Sequence, residues 1–385
     1  MIKTFKERMF LVILVFIFFC SGCTTEEKAQ TQENTKNNPV PTMVSDTANT
    51  GKDTKTYKAT LADNLIVDAT VDVSDVKDIP TLQVTGKVFD KNELLNTFLG
   101  SKDIKEKKEG GQSTYIVSNK SLTIHAEPGR FNFITPLGDY VKSIIDSRDE
   151  VSKFKSAELD FVAKSKATEQ VTALIKTLDI TSHTSPEIYA LDYNTLQQEQ
   201  DGLMKDKNYK YFVDLGKTRI KEKWTKDDEC YYMVFRIDMN GIPCSNTNFT
   251  MQSLDAMISG SELGVIISKD GIESFNINGV IYEQKNSKVK TSGLISMEQA
   301  LESLKKKYSN VILKEEAIIT GISMVYLPVI TKLGTVSEEG VSSNREIEMV
   351  PCWYFNIKQK YTKAGKVNTI DIVVHINAID GKEIL

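Results

Sequence analysis

The pattern of apolar and polar positions divides the chain into three kinds of segment. Residues 9–19 form an unbroken apolar run of 11 residues, residues 24–56 are almost entirely polar, and regularly spaced apolar residues begin at Tyr57. As a helix the apolar run spans about 16 Å, whereas the hydrocarbon core of a bilayer is ~30 Å thick. The run is therefore too short for a stable membrane span.

The spacing after Tyr57 predicts a small α+β unit over residues 57–150. Apolar residues at every second position from Leu65 to Val73 indicate a half-buried strand. Asp90 followed three positions later by Glu93 is typical of a helix N-terminus, here of a short helix stopped by a glycine. Further strands are predicted from the alternating pattern at 82–88, 114–117, 121–125 and 131–134.

Two further units, residues 160–290 and 291–385, repeat one order of elements. In each, a helix is followed by strands and an Asp-Gly turn, at residues 270–271 and 380–381. The second helix opens with a capping box at 296–299. This order predicts a diverged internal duplication. The fold class that we expect is α+β, with several small modules, each a helix packed on an antiparallel sheet, after a disordered tether.

The polar segment over residues 23–56 predicts that tether. It consists mostly of Thr, Glu, Lys, Gln, Asn, Asp, Ser and Pro. Such a segment buries too little apolar surface to offset the entropy of ordering its backbone, which is about 1–2 kcal/mol per residue. We expect it to hold the folded body away from its attachment point.

The first 22 residues have the layout of a signal peptide. Basic residues precede the apolar run, and Cys20-Ser21-Gly22-Cys23 follows it. The small residues before Cys23 resemble the lipobox of bacterial lipoproteins, although Cys20 stands where that motif usually has Leu. The resemblance implies a diacylglycerol thioether on the Cys23 sulfur. The partner predicted here is the membrane, reached through this lipid anchor, and the predicted location is extracytoplasmic, on the outer face of the cell membrane.

Composition adds two expectations about partners and redox state. The net charge is −4, and the predicted signal peptide removes more basic than acidic residues, so the mature surface is acidic and nucleic acid is not expected as a partner. Beyond Cys23 an odd number of cysteines remains, and a turn at Asn240-Gly241 sets Ile237 opposite Cys244. We therefore expect no disulfide framework, and small buried thiols instead, at Cys230, Cys244 and Cys352.

The chain offers little recognisable catalytic chemistry. Its histidines, His125, His183 and His375, have no metal-ligand spacing, and no phosphate loop, dinucleotide fingerprint or nucleophile elbow is present. The carboxylates at 227–229 are expected to form a solvated turn. We predict no catalytic residue, no metal and no cofactor, and hence no enzyme. A distant Cys–His pair is left open, because such partners need not be close in sequence.

Paired aromatic residues in two predicted strands are the candidates for a binding surface. Neighbours along a strand point to opposite faces, so one residue of each pair could be exposed while the other packs in the core. The alternative is that all of them belong to the core or to a second apolar layer. The candidate residues are Tyr231 and Tyr232 in one strand and Trp353 and Tyr354 in the other.

The C-terminal units resemble PepSY-type modules of Gram-positive envelope proteins. The resemblance is carried by residues 297–308, 349–355 and 377–384, in which a helix precedes strands and an Asn-Ala-x-Asp-Gly turn. It implies an uncharacterised clostridial type of envelope lipoprotein with a non-enzymatic binding or regulatory role, whose partner is an envelope protein or a cell-wall component. The alternatives are an inhibitor or enzyme acting on cell-wall peptides, and a solute-binding lipoprotein.

Overall fold

The computed structural model describes residues 42–46, 54–73, 79–100, 103–147, 154–183, 185–251, 256–285, 293–309, 315–336, 342–343, 345–363 and 365–384. The predicted signal peptide and Cys23 lie outside these ranges. Within the described part, no helix is both long enough and apolar enough to cross a bilayer. The α-helices are α1 Lys91–Phe98, α2 Pro136–Asp146, α3 Lys164–Thr177, α4 Tyr193–Leu203, α5 Lys207–Asp214 and α6 Met297–Ser309.

The strands of the described ranges are numbered along the chain. The first ten are β1 Thr42–Asp46, β2 Thr54–Ala62, β3 Leu65–Asp72, β4 Leu82–Gly86, β5 Lys105–Glu109, β6 Gln112–Val117, β7 Lys120–His125, β8 Phe131–Ile134, β9 Glu187–Leu191 and β10 Cys230–Arg236. The others are β11 Asp238–Met239, β12 Ile242–Pro243, β13 Phe249–Met251, β14 Ala256–Ile258, β15 Ser261–Ser268, β16 Gly271–Gly279, β17 Tyr282–Gln284, β18 Ala317–Lys332, β19 Thr335–Val336, β20 Ser342–Ser343, β21 Glu346–Lys363 and β22 Lys366–Asn377.

Two eight-stranded sheets contain most of these strands. The first sheet has the order β1-β2-β3-β18-β21-β4-β17. Its eighth strand, β22, also pairs with β21: β4 pairs with residues 347–349 of β21 and β22 with residues 352–363. The second sheet has the order β5-β6-β7-β8-β16-β15-β10-β9. All pairs in the second sheet are antiparallel, and the first sheet contains one parallel pair, β3 with β18. The predicted α+β class with antiparallel sheets is confirmed.

Each C-terminal helix covers part of a sheet, as its apolar spacing predicts. The capping box of α6 is formed, because Ser296 Oγ accepts from the Gln299 amide and Gln299 Oε1 accepts from the Ser296 amide. Buried Ala300, Leu301 and Leu304 of α6 join the same core as the first sheet. Helix α3 packs on the second sheet through the buried residues Ala167, Val171 and Ile175.

The predicted boundaries at 57–150, 160–290 and 291–385 do not separate the sheets. Strands β2–β4 of the first predicted unit pair in the first sheet, whereas β5–β8 extend the second sheet through β8 and β16. Strand β17 of the second predicted unit pairs with β4. Val40–Leu385 accordingly forms one compact unit. An alternating pattern specifies which residues share a face but leaves the neighbouring strand undetermined.

Two stretches of the predicted tether are strands. Thr42–Asp46 forms β1 and pairs antiparallel with β2, and β2 begins at Thr54. Pairing at a sheet edge uses backbone groups, so a polar sequence does not prevent it. The remaining predicted tether, residues 23–41 and 47–53, lies outside the described residues.

Two described helices, α2 and α5, have no counterpart among the sequence predictions. Helix α2 starts at Pro136 with Thr135 as its N-cap, and its buried Val141 and Ile144 cover the face of the second sheet opposite α3. Helix α5 follows α4 after a short turn and presents only Tyr209 as a buried residue. Helix α2 has 11 residues and a helical apolar spacing at Val141, Ile144 and Ile145, a signal that sequence reasoning overlooked. Helix α5 has 8 residues and one buried position, so its apolar spacing gives little signal.

Candidate functional site

The four aromatic residues proposed as a binding surface do not form one in the structure. Tyr231 is fully buried, and its hydroxyl accepts from the Leu159 amide (2.7 Å) and donates to the Val162 carbonyl (3.0 Å). Trp353 is 5% exposed, and its indole N–H donates to the Ile295 carbonyl (3.0 Å). Both residues therefore belong to the core.

Their neighbours Tyr232 and Tyr354 are half-buried. Tyr232 stacks on Tyr189 with ring centroids 6.2 Å apart, and burial raises its pKa. The ring of Tyr354 meets the ring of His375 edge-on, with centroids 5.3 Å apart. Tyr232 belongs to the second sheet and Tyr354 to the first, and each already contacts another ring of the protein, so the two tyrosines cannot act together as one surface.

Of the three carboxylates at 227–229, Asp227 is exposed to solvent, whereas Asp228 and Glu229 are buried. Burial alone would raise the pKa of Asp228, but hydrogen bonds from Lys221 and Thr225 outweigh burial and lower it. Burial raises the pKa of Glu229, and Asp227 is exposed. Asp228 thus caps the turn before β10 and is engaged in an ion pair. This arrangement stabilises the turn.

The histidines of the described ranges occupy three separate places. His183 Nδ1 is 2.8 Å from Asp238 Oδ2, beside the Asn240-Gly241 turn. His375 Nε2 lies 3.2 Å from the Ser245 hydroxyl, and burial lowers the pKa of this histidine to about 4. His125 lines the pocket described below.

The three cysteines of the folded body are free and buried, as predicted. Burial raises the pKa of each thiol, to about 12 for Cys244. The predicted register at the Asn240-Gly241 turn is also confirmed, since the Cys244 amide donates to the Ile237 carbonyl at 2.8 Å. These thiols act as small apolar groups.

An open pocket of about 660 Å³ lies where the β5–β6 hairpin meets the start of α1. Two lysines, Lys91 and Lys108, line it together with polar and apolar groups of β6 and β7. Its other lining residues are Glu109, Gly110, Gly111, Gln112, Ser113, Tyr115, Ile124, His125 and Ala126. The volume is within the usual range for small-molecule sites, about 300–1,000 Å³. We refer to it as the hairpin pocket.

Local structure places the two lysines. Asp90 caps α1 by accepting from the Glu93 amide (2.8 Å), which sets Lys91 in the first turn. The Lys91 ammonium lies 4.7 Å from the centre of the Tyr115 ring, and a hydrogen bond with Tyr115 raises its pKa. Gly110 and Gly111 both have positive φ and form the tight hairpin turn that follows Lys108.

A second polar cluster adjoins the hairpin pocket at His125. The Asn132 amide nitrogen is 3.4 Å from His125 Nε2, and Arg345 pairs with Glu127 at 3.3 Å. Burial, then the charge of Arg130, lowers the pKa of His125. His125 is therefore neutral near pH 7 and offers the pocket a hydrogen-bonding group without a charge.

Sequence reasoning missed the hairpin pocket because strand β5, with the sequence Lys-Glu-Lys-Lys-Glu, is fully exposed and has no apolar alternation. The usable signals were the Asp90 cap and the Gly-Gly pair, which indicate a helix start and a turn. Neither signal shows that the start of α1 and the β5–β6 turn lie beside each other.

Comparison with solved structures finds relatives of this fold. The chain is similar to an uncharacterised protein from Eubacterium rectale ATCC 33656, with a TM-score of 0.63 at 16% identity, over 85% of this chain and 92% of that chain. No protein-family model and no curated protein matches the sequence. At this identity the similarity concerns the fold alone.

Proposed function

We propose that the chain is a membrane-anchored extracytoplasmic lipoprotein with a non-enzymatic role, and that its folded body binds an anionic component of the cell envelope in the hairpin pocket. The anchoring part rests on the signal-like segment that ends in Ser21-Gly22-Cys23. The binding part rests on one observation, the convergence of Lys91, Lys108 and His125 on a single open pocket.

The chemistry of the hairpin pocket favours an anionic ligand. The lining holds two ammonium groups, of Lys91 and Lys108, against the one carboxylate of Glu109, and the Lys108 ammonium also lies 3.8 Å from a Glu106 carboxylate oxygen. The excess positive charge of the lining attracts a carboxylate or a phosphate, and Gln112 and Ser113 add neutral hydrogen-bonding groups. An exposed pair of opposite charges 4 Å apart contributes on the order of 1–4 kcal/mol before the cost of ordering the side chain. A site of this kind binds one charged group weakly. A polymer with many such groups offers many equivalent positions to the single pocket, which raises the affinity per polymer chain, so a polyanion is the ligand class that we propose.

Binding of a glycerol phosphate polymer to the purified protein tests this proposal. We expect the double variant Lys91→Gln/Lys108→Gln to bind about tenfold or more weakly, because two attractive charges are lost. The matched control is Lys58→Gln. It removes an exposed lysine of β2 that pairs with Asp68 of β3 and is not part of the pocket lining. Equal binding by both variants, or equal binding of neutral dextran, would contradict the proposal.

The anchor is tested at Cys23. We expect mass spectrometry of the N-terminal peptide from membranes to detect an acylated Cys23, and Cys23→Ala to release the protein from the membrane fraction. Ser21→Ala, which keeps a small residue before the cysteine, is the control. An unmodified N-terminal cysteine on a membrane-bound chain would refute the lipoprotein assignment while leaving the pocket experiment unaffected.

The volume of the hairpin pocket also supports a second candidate, a solute-binding lipoprotein. A pocket of about 660 Å³ can enclose a small anionic solute. A thermal-shift panel of small carboxylates and phosphates distinguishes the two, because any ligand of the folded state raises the unfolding temperature. A shift with a monomeric solute, abolished in Lys91→Gln/Lys108→Gln, would favour solute binding over polymer binding.

A further inference from the structure

Three large apolar side chains stand together on the outer face of α5 and the turn that follows it. Tyr211, Phe212 and Leu215 are 52%, 45% and 49% exposed, and the first two rings are 5.9 Å apart. The opposite face of α5 points inward through buried Tyr209 and half-buried Val213. We refer to the three exposed residues as the α5 patch. Single exposed apolar residues are normal, but a contiguous group marks a contact surface.

The α5 patch is held in a defined shape. Asp206 caps the helix by accepting from the amides of Asn208 and Tyr209 (2.8 and 2.9 Å). At the other end Gly216, with φ +66°, turns the chain so that the Lys217 amide donates to the Phe212 carbonyl (2.9 Å). Such a glycine-terminated end closes a helix.

The helix is fixed to the rest of the body on its inner side. The Tyr209 hydroxyl is 3.2 Å from the hydroxyl of Ser143 on α2, and Tyr209 shares a core cluster with α2 and α4. The patch therefore projects from a rigid base, and its three side chains need little ordering when they meet a partner.

The surroundings of the α5 patch are basic although the chain as a whole is acidic. Residues 204–223 hold seven Lys or Arg against three Asp or Glu, whereas the chain carries −4. Lys210 pairs with Asp214, and Arg219 pairs with Asp139. Within the described part of the chain, no ion-pair partner is found for four further exposed lysines, Lys205, Lys207, Lys217 and Lys223.

We propose that the α5 patch inserts into the surface of an anionic lipid bilayer while the surrounding lysines bind lipid headgroups. Aromatic and leucine side chains flanked by lysines are the composition that favours the interface between headgroups and acyl chains. Long lysine side chains reach the headgroup level while their methylenes cover apolar surface. A second copy of the chain is disfavoured as the occupant, because it would bring two clusters of like-charged lysines together.

This contact goes beyond the proposed anchor. It brings the folded body itself to the bilayer through a surface remote in sequence from Cys23, and it does not require an acyl group on that cysteine. A body attached at two points has its orientation set relative to the membrane, whereas attachment through the N-terminal segment alone leaves it free to rotate.

Tryptophan fluorescence in vesicles tests the contact in the full chain. Phe212→Trp places a reporter indole in the patch, and the native Trp224 and Trp353, 2% and 5% exposed, contribute a buried background. We expect bilayer-embedded doxyl lipids to quench the patch reporter in vesicles of phosphatidylcholine mixed with phosphatidylglycerol, and quenching to fall in pure phosphatidylcholine and in high salt.

Variants define how large the loss should be. Lys207→Gln and Lys217→Gln are then added to the reporter chain. In the mixed vesicles they should lower the equilibrium constant for binding of the patch to the bilayer about thirtyfold, because each lysine near an anionic surface contributes about 1 kcal/mol. The positional control is Val88→Trp, because Val88 is 72% exposed in the segment between β4 and α1. We expect the indole introduced by this control substitution to remain unquenched in every vesicle.

Three results would overturn the proposal. The first is equal quenching of the patch reporter in both lipid compositions, and the second is no quenching in either. The third is a blue shift of the reporter emission that depends on protein concentration in the absence of vesicles, which would identify a second copy of the chain as the occupant. Acylation of Cys23 and polymer binding are measured separately. Failure of the α5 contact is therefore distinguishable from failure of the proposed function.

Discussion

Protonation of His375 should limit the stability of the protein in mild acid. The imidazole is 5% exposed, its Nε2 lies 3.2 Å from the Ser245 hydroxyl, and the rings of Phe249 and Tyr354 lie beside it. Burial lowers its pKa from 6.5 to about 4, and no charged neighbour contributes to this shift. The folded state therefore holds a neutral imidazole that the unfolded chain protonates readily.

The sign and size of the effect follow from proton linkage. Above pH 6.5 neither state binds the proton and the full stability is present. As the pH falls from 6.5 to about 4, the unfolded chain binds the proton first, so the free energy of unfolding decreases. At ~1.36 kcal/mol per pH unit the His375 contribution to this decrease is about 3 kcal/mol.

Urea unfolding across this pH range measures the contribution. We expect His375→Gln, which keeps a hydrogen-bonding group for Ser245, to lose about 3 kcal/mol less than the wild type between pH 6.5 and 4. Ser245→Ala is the control, because it removes the hydrogen bond but not the buried imidazole and should keep the wild-type pH dependence. Parallel loss of stability by the wild type and His375→Gln would refute the assignment of this pKa to burial.

Three further predictions concern packing, capping and thiol reactivity. Gly138→Ala should destabilise the protein by roughly 1–3 kcal/mol in urea unfolding, since a Cβ there would collide with the Glu273 carbonyl oxygen, whereas Gly293→Ala, with no atom within 4 Å, should be near neutral. Ser296→Ala should cost about 1 kcal/mol through loss of the α6 capping box, with no change at the hairpin pocket. The three buried thiols should resist alkylation in the native protein and react in urea, as read by mass spectrometry, and rapid native labelling would contradict their burial.

Local features of the fold could be predicted from the sequence because their causes are local. The capping box of α6, the turn at Asn240-Gly241 and the hairpin at Asp270-Gly271 each depend on residues a few positions apart, and each is present. The repeated order of helix, strands and Asp-Gly turn is also found in the structure of residues 160–290 and 291–385. In residues 160–290, strands β9, β10, β15 and β16 are consecutive neighbours in the second sheet. In residues 291–385, strands β18, β21 and β22 are consecutive neighbours in the first sheet.

The candidate surfaces could be predicted only in part. The cap before Lys91 and the glycine turn after Lys108 are visible in the sequence, but their meeting at one pocket depends on how α1 packs over β6 and β7.

The α5 patch could not be predicted from the sequence for a different reason. Tyr211, Phe212 and Leu215 look like core residues of a short helix, and only the packing of Tyr209 inward shows that they face outward.

The sequence by itself determined the signal-like start, the α+β class, the helix caps, the tight turns and the burial of the thiols. These follow from residue preferences over a few positions and from the period of the apolar pattern. Only the tertiary structure decided that β2–β4 join β18 and β21 while β5–β8 join β16, and that Tyr231 and Trp353 are core residues. The physical reason is that a strand offers two equivalent edges and two faces. Its neighbours, which can be more than 200 residues away, decide which of them are covered.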